Sequence, residues 1–418
     1  MEDTNLRRAI LVTIAECGSD VQECERSLDE LERLLETAGG TCYAKVIQVK
    51  GSFDPRTCIG SGKVEEISQM CQNAQIDLVV FDFELSPAQI RNLENDIKAD
   101  VTVIDRSMLI LDIFALHAVS GDGKLQVELA QLRYSAPRLT GKGVELSRQG
   151  GGIGSRGPGE SKLETDRRHL HEKIVSLEKK LAEMESNRKV MRSQRDRSGL
   201  CKIALVGYTN AGKSTLLNRL TGAGVLAEDK LFATLDPTTR KMELPSGENV
   251  LVTDTVGFIR KLPHHLVKAF RSTLDEVFYA DVLLVVSDVN DPEVPEHLEV
   301  TREVIADLGA SDKPVIYVYN KCDLSTEELP VTENENTVII SAHTGKNIDT
   351  LLALIEKTVG ASKIHVKLLI PYSDQTMLNY LYKNYTVSGC EYIAEGALVE
   401  AVIDRKAEGK LAQYIYSE

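Results

Sequence analysis

The chain has 418 residues, room for roughly two to four domains, and its 42% hydrophobic content suits packed cores. It has no run of about 18 apolar residues and no apolar signal region after its charged start. We therefore expect a non-secreted, cytoplasmic protein without a membrane span, and only a weak peripheral association with membranes is left open. Its eight cysteines include no C-x-x-C pair, which predicts reduced thiols and argues against a zinc site. The net charge of −14, taken alone, argues against a nucleic-acid partner.

Apolar patterns in residues 1–120 alternate between strand and helix, which predicts an N-terminal α/β domain. The predicted strands are Ala9–Ile14, Tyr43–Val49, Leu78–Phe81 and Val101–Ile104, and the predicted helices cover Leu28–Leu35, Lys63–Met70, Ala88–Ile97 and Leu109–Ala118. No catalytic constellation is visible in this region. The segment Thr57–Lys63 could bind an anion at a helix start, but a glycine turn is the favoured interpretation. His117, His264 and His265 have no metal-ligand company in the sequence, so we expect surface or packing histidines.

Residues 133–202 are basic, although the chain as a whole is acidic. They hold 17 Lys and Arg against 9 Asp and Glu, a net charge of +8, so the rest of the chain carries −22. Leu125, Leu129 and Leu132 recur at helical spacing before a glycine-rich stretch. A heptad seam follows that stretch and consists of Leu163, Leu170, Ile174, Leu177, Leu181, Met184 and Met191. We therefore predict a helical hairpin over residues 121–199, called the basic arm below, with a glycine-rich loop over 139–160 at its tip.

The glycine-rich loop carries three cations among its glycines, Lys142, Arg148 and Arg156. Such a loop can enter a narrow, phosphate-lined RNA cavity and become ordered there. A bland linker is the alternative that composition alone favours. Aromatic residues for base stacking are absent apart from Tyr134, so the arm is better suited to recognising the backbone and shape of structured RNA.

The segment Gly207-Tyr-Thr-Asn-Ala-Gly-Lys-Ser-Thr215 directly follows the apolar run Cys201–Val206. A buried strand that runs into a glycine-rich turn and then a helix is the context of a phosphate-binding P-loop. Gly207 and Gly212 let backbone N–H groups face the β-phosphate, Lys213 reaches the β- and γ-phosphates, and the hydroxyl of Ser214 can ligate Mg²⁺. A chance match to the P-loop pattern is the alternative. The motifs that follow the later predicted strands decide between the two interpretations.

An aspartate follows the next predicted strand in Asp254-Thr-Val-Gly257. Its carboxylate can hold magnesium through water, and the N–H of the glycine can meet a γ-phosphate. The polar stretch Glu228–Arg240 before it can become ordered around the γ-phosphate and so act as a switch that reports the nucleotide state. One threonine of this stretch should complete the magnesium shell, and spacing alone leaves Thr234, Thr238 and Thr239 open.

Two further strand ends predict guanine recognition. Asp323 of Asn320-Lys-Cys-Asp323 can accept two hydrogen bonds from guanine, a pairing that adenine cannot offer. Asn320 and the stem of Lys321 would shape the base pocket. We expect this carboxylate to be buried, and the cost of leaving it unpaired can then reject an analogue by roughly four to five decades. After another predicted strand, a backbone N–H of Ser341-Ala342 can meet the guanine carbonyl.

These signals lie in order at carboxyl ends of predicted parallel strands, where open α/β sheets bind ligands. Residues 200–362 are therefore predicted to be a guanine-nucleotide-binding domain with a mostly parallel sheet and helices on both faces. The tail over 363–418 adds predicted strands at Ile364–Ile370, Glu391–Ile393 and Ala397–Val402 and a helix at Met377–Tyr382, which indicates a small C-terminal α+β domain. The predicted fold class is multidomain α/β.

Phe258 stands where some GTPases place a glutamine that orients the attacking water. A phenyl ring cannot form that hydrogen bond, so the catalytic residue is left unknown. We expect slow intrinsic hydrolysis that needs a partner, a backbone group or an ordered loop. Simple packing of Phe258 under the switch is compatible with this expectation.

With these motifs the chain resembles the HflX family of ribosome-associated translational GTPases, in the Obg/HflX-like group of the TRAFAC class. The resemblance rests on Thr57–Lys63, Gln126–Ala130, Gly207–Thr215, Phe232-Ala-Thr-Leu-Asp236, the guanine signals and, most specifically, the loop Ser147–Glu160. It implies the four domains predicted above, GTP-dependent binding to the large ribosomal subunit and its rRNA near the peptidyl-transferase centre, and splitting or rescue of stalled ribosomes under stress. It also implies that Ser214 and Thr234 ligate Mg²⁺, and Phe258 fits the family's pattern.

The candidate site comprises residues for nucleotide, metal and RNA. The candidate GTP-binding residues are Gly207, Tyr208, Thr209, Asn210, Ala211, Gly212, Lys213, Ser214, Thr215, Phe232, Ala233, Thr234, Leu235, Asp236, Asp254, Thr255, Val256, Gly257, Asn320, Lys321, Cys322, Asp323, Ser341, Ala342 and His343. The candidate metal ligands are Ser214 and Thr234, and the candidate RNA contacts are Lys142, Arg148 and Arg156.

Two classes of function fit the sequence. In the first, the protein is an enzyme whose GTP cycle resets its grip on the ribosome. In the second, it is a nucleotide-gated RNA-binding or anti-association factor in which hydrolysis is incidental. A membrane-remodelling GTPase fits less well, because no apolar insertion segment accompanies the P-loop. We expect a monomer, although the heptad seam could also pair between two chains.

Overall fold

The computed structural model describes residues 7–97, 100–139, 158–196, 200–222, 231–232, 235–261, 263, 271–325, 335–361, 363–404, 409 and 411–416. The chain divides into two compact units. The first unit is Met1–Met184 with Glu228–Asp236 and Val256–Leu274, and the second is Glu185–Ala227 with Pro237–Thr255 and Asp275–Glu418. The four-domain division expected from the sequence stays a prediction.

The first sheet has four parallel strands in the order β2-β1-β3-β4. Its strands are β1 (Arg8–Ala15), β2 (Thr41–Val49), β3 (Leu78–Phe81) and β4 (Thr102–Asp105), and the helices are α1 (Val21–Thr37), α2 (Ser61–Ala74), α3 (Pro87–Ile97) and α4 (Arg106–His117). The central strands β1 and β3 are apolar and buried, as parallel strands covered by helices require. The predicted α/β character of this region is therefore confirmed.

The segment Thr57–Lys63 starts α2. Gly60 occupies the N-cap position, and its N–H donates to Oε1 of Gln48 at 2.9 Å. The ammonium of Lys63 pairs with Glu66 of the same helix at 2.6 Å. These contacts agree with the glycine-turn interpretation. His117 likewise has a local role, because its ring nitrogen Nδ1 contacts the carbonyl of Ile113.

The basic arm contributes two helices, α5 (Gly121–Leu139) and α6 (Pro158–Asp196). Glu128 pairs with Lys173, and Arg133 pairs with Glu178, both at 2.6 Å, so part of the arm's positive charge is neutralised within it. Of the described seam side chains only Leu177 is fully buried. The loop residues Lys142, Arg148 and Arg156 lie outside the described residues.

The arm's first helix is attached along its length to the first sheet's helices and loops. Nε2 of Gln131 donates to Asp112 of α4 at 3.1 Å, and Arg138 donates to the carbonyl of Leu85 at 3.0 Å. Tyr134 donates its phenolic O–H to Asp105. Burial and the nearby Asp105 carboxylate raise the pKa of Tyr134 well above its usual value. This side chain is therefore an anchor of α5.

Two fully buried aspartates lie at the carboxyl ends of neighbouring strands. Asp105 ends β4, caps α4 through the N–H of Met108 at 3.0 Å, and also accepts the N–H of Leu85 at 3.0 Å. Tyr134 and Arg138, both on α5, also donate to Asp105 and tie this helix to the strand end.

Asp82 follows β3 and accepts four hydrogen bonds. Oδ1 accepts from Arg106 at 2.8 Å, and Oδ2 accepts from Ser27 at 2.6 Å and from Lys261 at 2.7 Å, with a longer bond from Thr13. Burial alone would raise the pKa of Asp82, but the charges of Arg106 and Lys261, with the hydrogen bonds from Lys261 and Ser27, together outweigh it and hold this pKa below its ordinary value. Arg106 is itself buried and also pairs with Glu30 at 2.6 Å.

We predict that Arg106→Met destabilises the first unit by about 3–5 kcal/mol, because it leaves Asp82 buried with one cation fewer. Native-state hydrogen exchange at the amides of β1 and β3 would measure this loss. Arg240→Met, at an exposed arginine, is the matched control and should change the stability by less than about 0.5 kcal/mol. Equal protection in the two variants would contradict the role of the buried ion pair.

The second sheet has six strands in the order β10-β9-β8-β5-β7-β6, all parallel except β6, which pairs antiparallel with β7. Its strands are β5 (Cys201–Val206), β6 (Thr238–Glu243), β7 (Asn249–Asp254), β8 (Val282–Asp288), β9 (Val315–Asn320) and β10 (Thr337–Ile339), and the helices are α7 (Lys213–Thr221), α8 (Arg271–Tyr279), α9 (Val294–Asp307) and α10 (Ile348–Ala361). The predicted mostly parallel sheet is confirmed.

The tail forms a three-stranded antiparallel sheet in the order β11-β13-β12. Its elements are β11 (Lys363–Ile370), α11 (Gln375–Asn384), β12 (Thr386–Ile393) and β13 (Gly396–Asp404). Asp374 caps α11 by accepting the N–H of Met377 at 3.1 Å. Within the described parts of the chain, every helix is too short or too polar to cross a bilayer.

Candidate nucleotide-binding site

The P-loop connects β5 to α7, as predicted. Gly207 has a φ of 140°, and a Cβ there would collide with the carbonyl oxygen of Val286 on β8. Gly212 has a φ of 89°, and a Cβ there would collide with Nδ2 of Asn320. Both positions therefore require glycine, because the loop passes close to two neighbouring strands.

Lys213 begins α7 and is buried inside the loop. Its Nζ donates to the carbonyl oxygens of Tyr208 at 2.7 Å and Gly207 at 3.2 Å. Burial lowers the pKa of this ammonium to about 8, and the charge of Asp254 opposes that shift only in part. The lysine is thus held where phosphate oxygens on the loop would meet it, and a phosphate would supply the negative charge that its surroundings lack.

Ser214 and Asp254 provide a pair of hard oxygen ligands. The hydroxyl of Ser214 donates to Oδ2 of Asp254 at 2.6 Å, and this carboxylate at the end of β7 is fully buried. A hydroxyl beside a carboxylate at the P-loop fits Mg²⁺, which prefers oxygen donors. Thr255 follows and donates to the carbonyl of Leu205 at 2.6 Å, so it braces β7 against β5.

The structure narrows the choice among the three switch threonines. Thr238 and Thr239 lie in β6, and the hydroxyl of Thr239 is hydrogen-bonded to that of Thr253 at 2.9 Å. Thr239 is therefore engaged within the sheet. Thr234 and Ala233 lie outside the described residues.

Asn320 links the P-loop to the loop after β10. Nδ2 donates to the carbonyl of Ala211 at 2.9 Å, and Oδ1 accepts the N–H of Ala342 at 2.9 Å. The N–H of Ser341 donates to the carbonyl of Lys346 at 3.1 Å. Both backbone donors expected to meet the guanine carbonyl are thus already engaged, and a base would have to share or replace the bond to Asn320.

Asp323 is exposed, so the expectation of a buried carboxylate is wrong for this structure. The hydroxyl of Ser341 lowers the pKa of Asp323 by hydrogen bonding. An exposed carboxylate keeps its hydration when it is unpaired. A wrong base therefore loses less binding free energy here than it would at a buried carboxylate, and discrimination between bases is weaker. Full discrimination would require the base itself to cover the carboxylate.

Sequence reasoning missed two side chains that hold this end of the site. Nε of Arg219, on α7, donates to the carbonyl of Ala342 at 3.0 Å, and its NH2 group contacts the carbonyl of His343. Asp288, at the end of β8, pairs with the ammonium of Lys321 at 2.9 Å. Nothing in the spacing of these residues distinguishes them from ordinary surface charges.

A third group that the sequence did not reveal lies beside the P-loop. The ring of Tyr208 stacks on His297, with centroids 3.6 Å apart and planes 11° from parallel. His297 lies near the carboxylates of Asp291 and Glu293, at 3.5 and 3.8 Å. This His and carboxylate group could hold a metal ion by its spacing, but acidic groups are common without one.

The remaining predicted site residues fall in several places. Tyr208, Thr209, Ala211, Thr255, Val256, Gly257 and Cys322 are buried, Thr215 is half-buried, and Asn210 and His343 are exposed. Phe258 is also buried, which agrees with packing under the switch.

The segments before β6 and after β7, residues 228–236 and 256–274, belong to the first unit and are called the switch segments below. The first contains Phe232, Leu235 and Asp236, whose side chains are described below, and the second contains Val256–Lys261. Lys261 reaches Asp82, and the carbonyl of Arg260 accepts a hydrogen bond from Arg106 at 3.0 Å. The sequence predicted Asp236 as a nucleotide contact, but the structure places its carboxylate at the start of α5.

A P-loop before α7, an aspartate at the end of the adjacent strand and an Asn-Lys-Cys-Asp segment after β9 define a P-loop guanine-nucleotide-binding protein. Family models match almost the whole chain. Their descriptions are GTP-binding GTPase N-terminal at residues 25–115, GTP-binding GTPase Middle Region at 117–195, 50S ribosome-binding GTPase at 202–321 and HflX C-terminal domain at 328–409.

Two curated relatives are similar over nearly their full length. The GTPase HflX of Lacrimispora saccharolytica is 47% identical over 407 residues, which are 97% of this chain and 95% of the relative. The GTPase HflX of Caldanaerobacter subterraneus subsp. tengcongensis is 48% identical over 410 residues, 98% and 94% of the two chains. Among solved structures, a GTP-binding protein from Sulfolobus solfataricus in complex with GDP covers 85% of this chain at 24% identity, with a TM-score of 0.44. The chain belongs to the HflX family of GTPases.

We predict that Gly212→Ala weakens GDP binding at least tenfold, about 1.4 kcal/mol, because the new Cβ displaces Asn320 from its bond to the P-loop. Titration calorimetry measures the affinity. Gly222→Ala is the matched control, since Gly222 also has a positive φ, 64°, but nothing lies within 4 Å of its added Cβ. Equal losses in both variants would mean that backbone strain, rather than the contact with Asn320, explains the glycine.

We predict that nucleotide binding takes up protons near pH 8. Phosphate oxygens favour the ammonium form and raise the pKa of Lys213 from about 8, so affinity is full below that pH and falls as the pH rises above it. Calorimetric titration with GDP at pH 8 in buffers of different ionisation enthalpy should give an uptake of about half a proton. Lys213→Arg, which stays charged, should remove the uptake; wild-type binding without uptake would contradict the prediction.

Proposed function

We propose that this protein binds the large ribosomal subunit in a GTP-dependent way and splits or rescues stalled ribosomes under stress, with hydrolysis of GTP to GDP and phosphate resetting it. The observation that carries the proposal is that one compact unit contains the basic arm up to Met184 together with both switch segments, residues 228–236 and 256–274. A change in the switch segments therefore acts on the same body that carries the cationic helices. The match of residues 202–321 to a family described as 50S ribosome-binding GTPase supports the choice of partner.

The residues of the P-loop divide the work on the nucleotide. Lys213 meets the phosphates, Ser214 and Thr234 hold Mg²⁺ with Asp254 behind them, and Asp323 selects guanine. Bound Mg²⁺ supplies charge stabilisation on the phosphate oxygens. The arm meets the rRNA backbone through Lys142, Arg148 and Arg156. The protein acts in the cytoplasm, where ribosomes are found.

The position after Gly257 explains why a partner is needed. Phe258 is buried and has no group that can orient the attacking water. Intrinsic hydrolysis is then slow, and the ribosome supplies or orders the missing group. The same observation favours a second candidate, a nucleotide-gated anti-association factor for which GTP binding suffices and hydrolysis is incidental.

The deciding experiment compares GTP hydrolysis by the full chain alone and with large ribosomal subunits, at matched magnesium and salt. We expect stimulation of at least about tenfold, the scale at which a partner contributes one well-placed group to the transition state. Binding without stimulation, together with full ribosome splitting by a non-hydrolysable GTP analogue, would favour the second candidate. No binding in any nucleotide state would refute both.

The double variant Arg148→Ala and Arg156→Ala tests the arm in the same assay. Removing two phosphate contacts should weaken ribosome binding and reduce the slope of log affinity against log salt by about two. Lys179→Ala with Lys180→Ala is the matched control, because it removes the same charge from exposed positions of α6 outside the loop. If both double variants bind alike, the loop has no special role.

A further inference from the structure

The carboxylate of Asp236 lies at the start of the arm's first helix. Oδ2 accepts the backbone N–H groups of Val119 at 3.0 Å and Ser120 at 2.7 Å, and Oδ1 accepts the hydroxyl of Ser120. Donors at a helix N-terminus have no partner within the helix, and the helix dipole favours a negative charge there. Asp236 thus acts as a cap for α5 from 116 positions away in sequence.

The sequence at the start of α5 lacks one of the two side chains of a capping box, and Asp236 occupies the space of the missing one. The hydroxyl of Ser120 accepts the N–H of Gly123 at 2.8 Å, as an N-cap serine does. A complete capping box would carry Glu or Gln at position 123, reaching back to the N–H of Ser120. The chain has glycine there, and an added Cβ would lie 2.6 Å from Oδ1 of Asp236. Asp236 takes the place that the missing side chain would fill.

A second contact holds the same switch segment. Phe232 is buried and packs edge-to-face on Phe114 of α4, with ring centroids 4.7 Å apart. Leu231 and Leu235 are buried as well. The segment is therefore fixed on both sides of Thr234, the predicted magnesium ligand two positions before Asp236.

We propose that Asp236 is a positioning residue that links the switch segment to the basic arm, so that the nucleotide-dependent conformation of the segment is transmitted to α5. The inference rests on the proposed function, because it names the route by which nucleotide state controls ribosome binding. Asp236 acts through the helix start, where the donors of Val119 and Ser120 bind its carboxylate. Gln131, Tyr134 and Arg138 then carry the change into the body to which α5 is attached.

Hydrogen exchange on the full chain tests the link directly, because the amides of Val119 and Ser120 are its donors. In the wild type, exchange in peptides covering 117–124 should differ between GDP and a non-hydrolysable GTP analogue. Asp236→Ala should speed this exchange by about threefold to thirtyfold and abolish the difference between the nucleotides. Asp349→Ala, which removes an exposed aspartate from the first turn of α10, is the control and should change neither.

A second variant separates coupling from simple helix capping. Asp236→Ala combined with Gly123→Glu supplies a capping box within α5 itself. It should restore slow exchange at the helix start but not the difference between nucleotides. If the difference returns, or if the wild type shows none, Asp236 is only a cap and the link is refuted.

Ribosome binding provides the functional readout. Asp236→Ala should bring the ratio of ribosome affinities with GTP analogue and with GDP close to one, while its affinity for GTP stays within about threefold of the wild type. A loss of GTP binding itself would place Asp236 in the nucleotide site and overturn the inference, as would an unchanged ratio. A wild type that binds ribosomes alike in both states would instead refute the proposed function, and the exchange experiment would still decide the link.

Discussion

The neutralisation of two buried carboxylates organises the first unit. Asp82 and Asp105 are removed from water at adjacent strand ends, and an ionised carboxylate in such a place is tolerated only when it is paired and hydrogen-bonded. Their partners come from α1, α4, α5 and the segment after Gly257. Open α/β sheets commonly bind ligands at this edge. Here the protein's own arginine, lysine and tyrosine bind the two carboxylates at this edge, so the segment after Gly257 is attached where such sheets commonly bind a ligand.

Local patterns predicted most of the fold. Alternating apolar runs found the four strands of the first sheet and their helices, and the P-loop was recognisable because its glycines are required by close backbone approach to Val286 and Asn320. Contacts between distant segments were not predictable. Tyr134 read as a lone aromatic in a basic stretch, whereas its hydroxyl binds a buried carboxylate; Asp236 read as part of a nucleotide motif, whereas it caps a distant helix. The exposure of Asp323 was likewise misjudged, because the motif fixes chemistry but not burial.

In the second unit, the side-chain amide of Asn320 connects the P-loop, where the phosphates would bind, to the loop after β10, where the base would bind. The side chain of Asn320 donates to the P-loop and accepts from the loop after β10. A displacement of either loop would therefore strain the hydrogen bond to the other. Arg219 reinforces this arrangement from the helix that Lys213 begins. Such bridging explains why binding residues can lie on loops and still be well placed: the parallel sheet fixes the strand ends, and short polar bridges fix the loops to one another.

The attachments of α5 give the molecule a mechanical property. The helix has 19 residues, a length of roughly 28 Å, and it is fastened near its start, middle and end, so it cannot bend to absorb a displacement. Its far end is held as well as its start, because Arg138 donates to the carbonyl of Leu85. A displacement imposed at Ser120 would therefore reach α4 and the loop after β3 at nearly its original size, instead of being enlarged at a free end. The helix has the mechanical character of a strut that joins three points of one body.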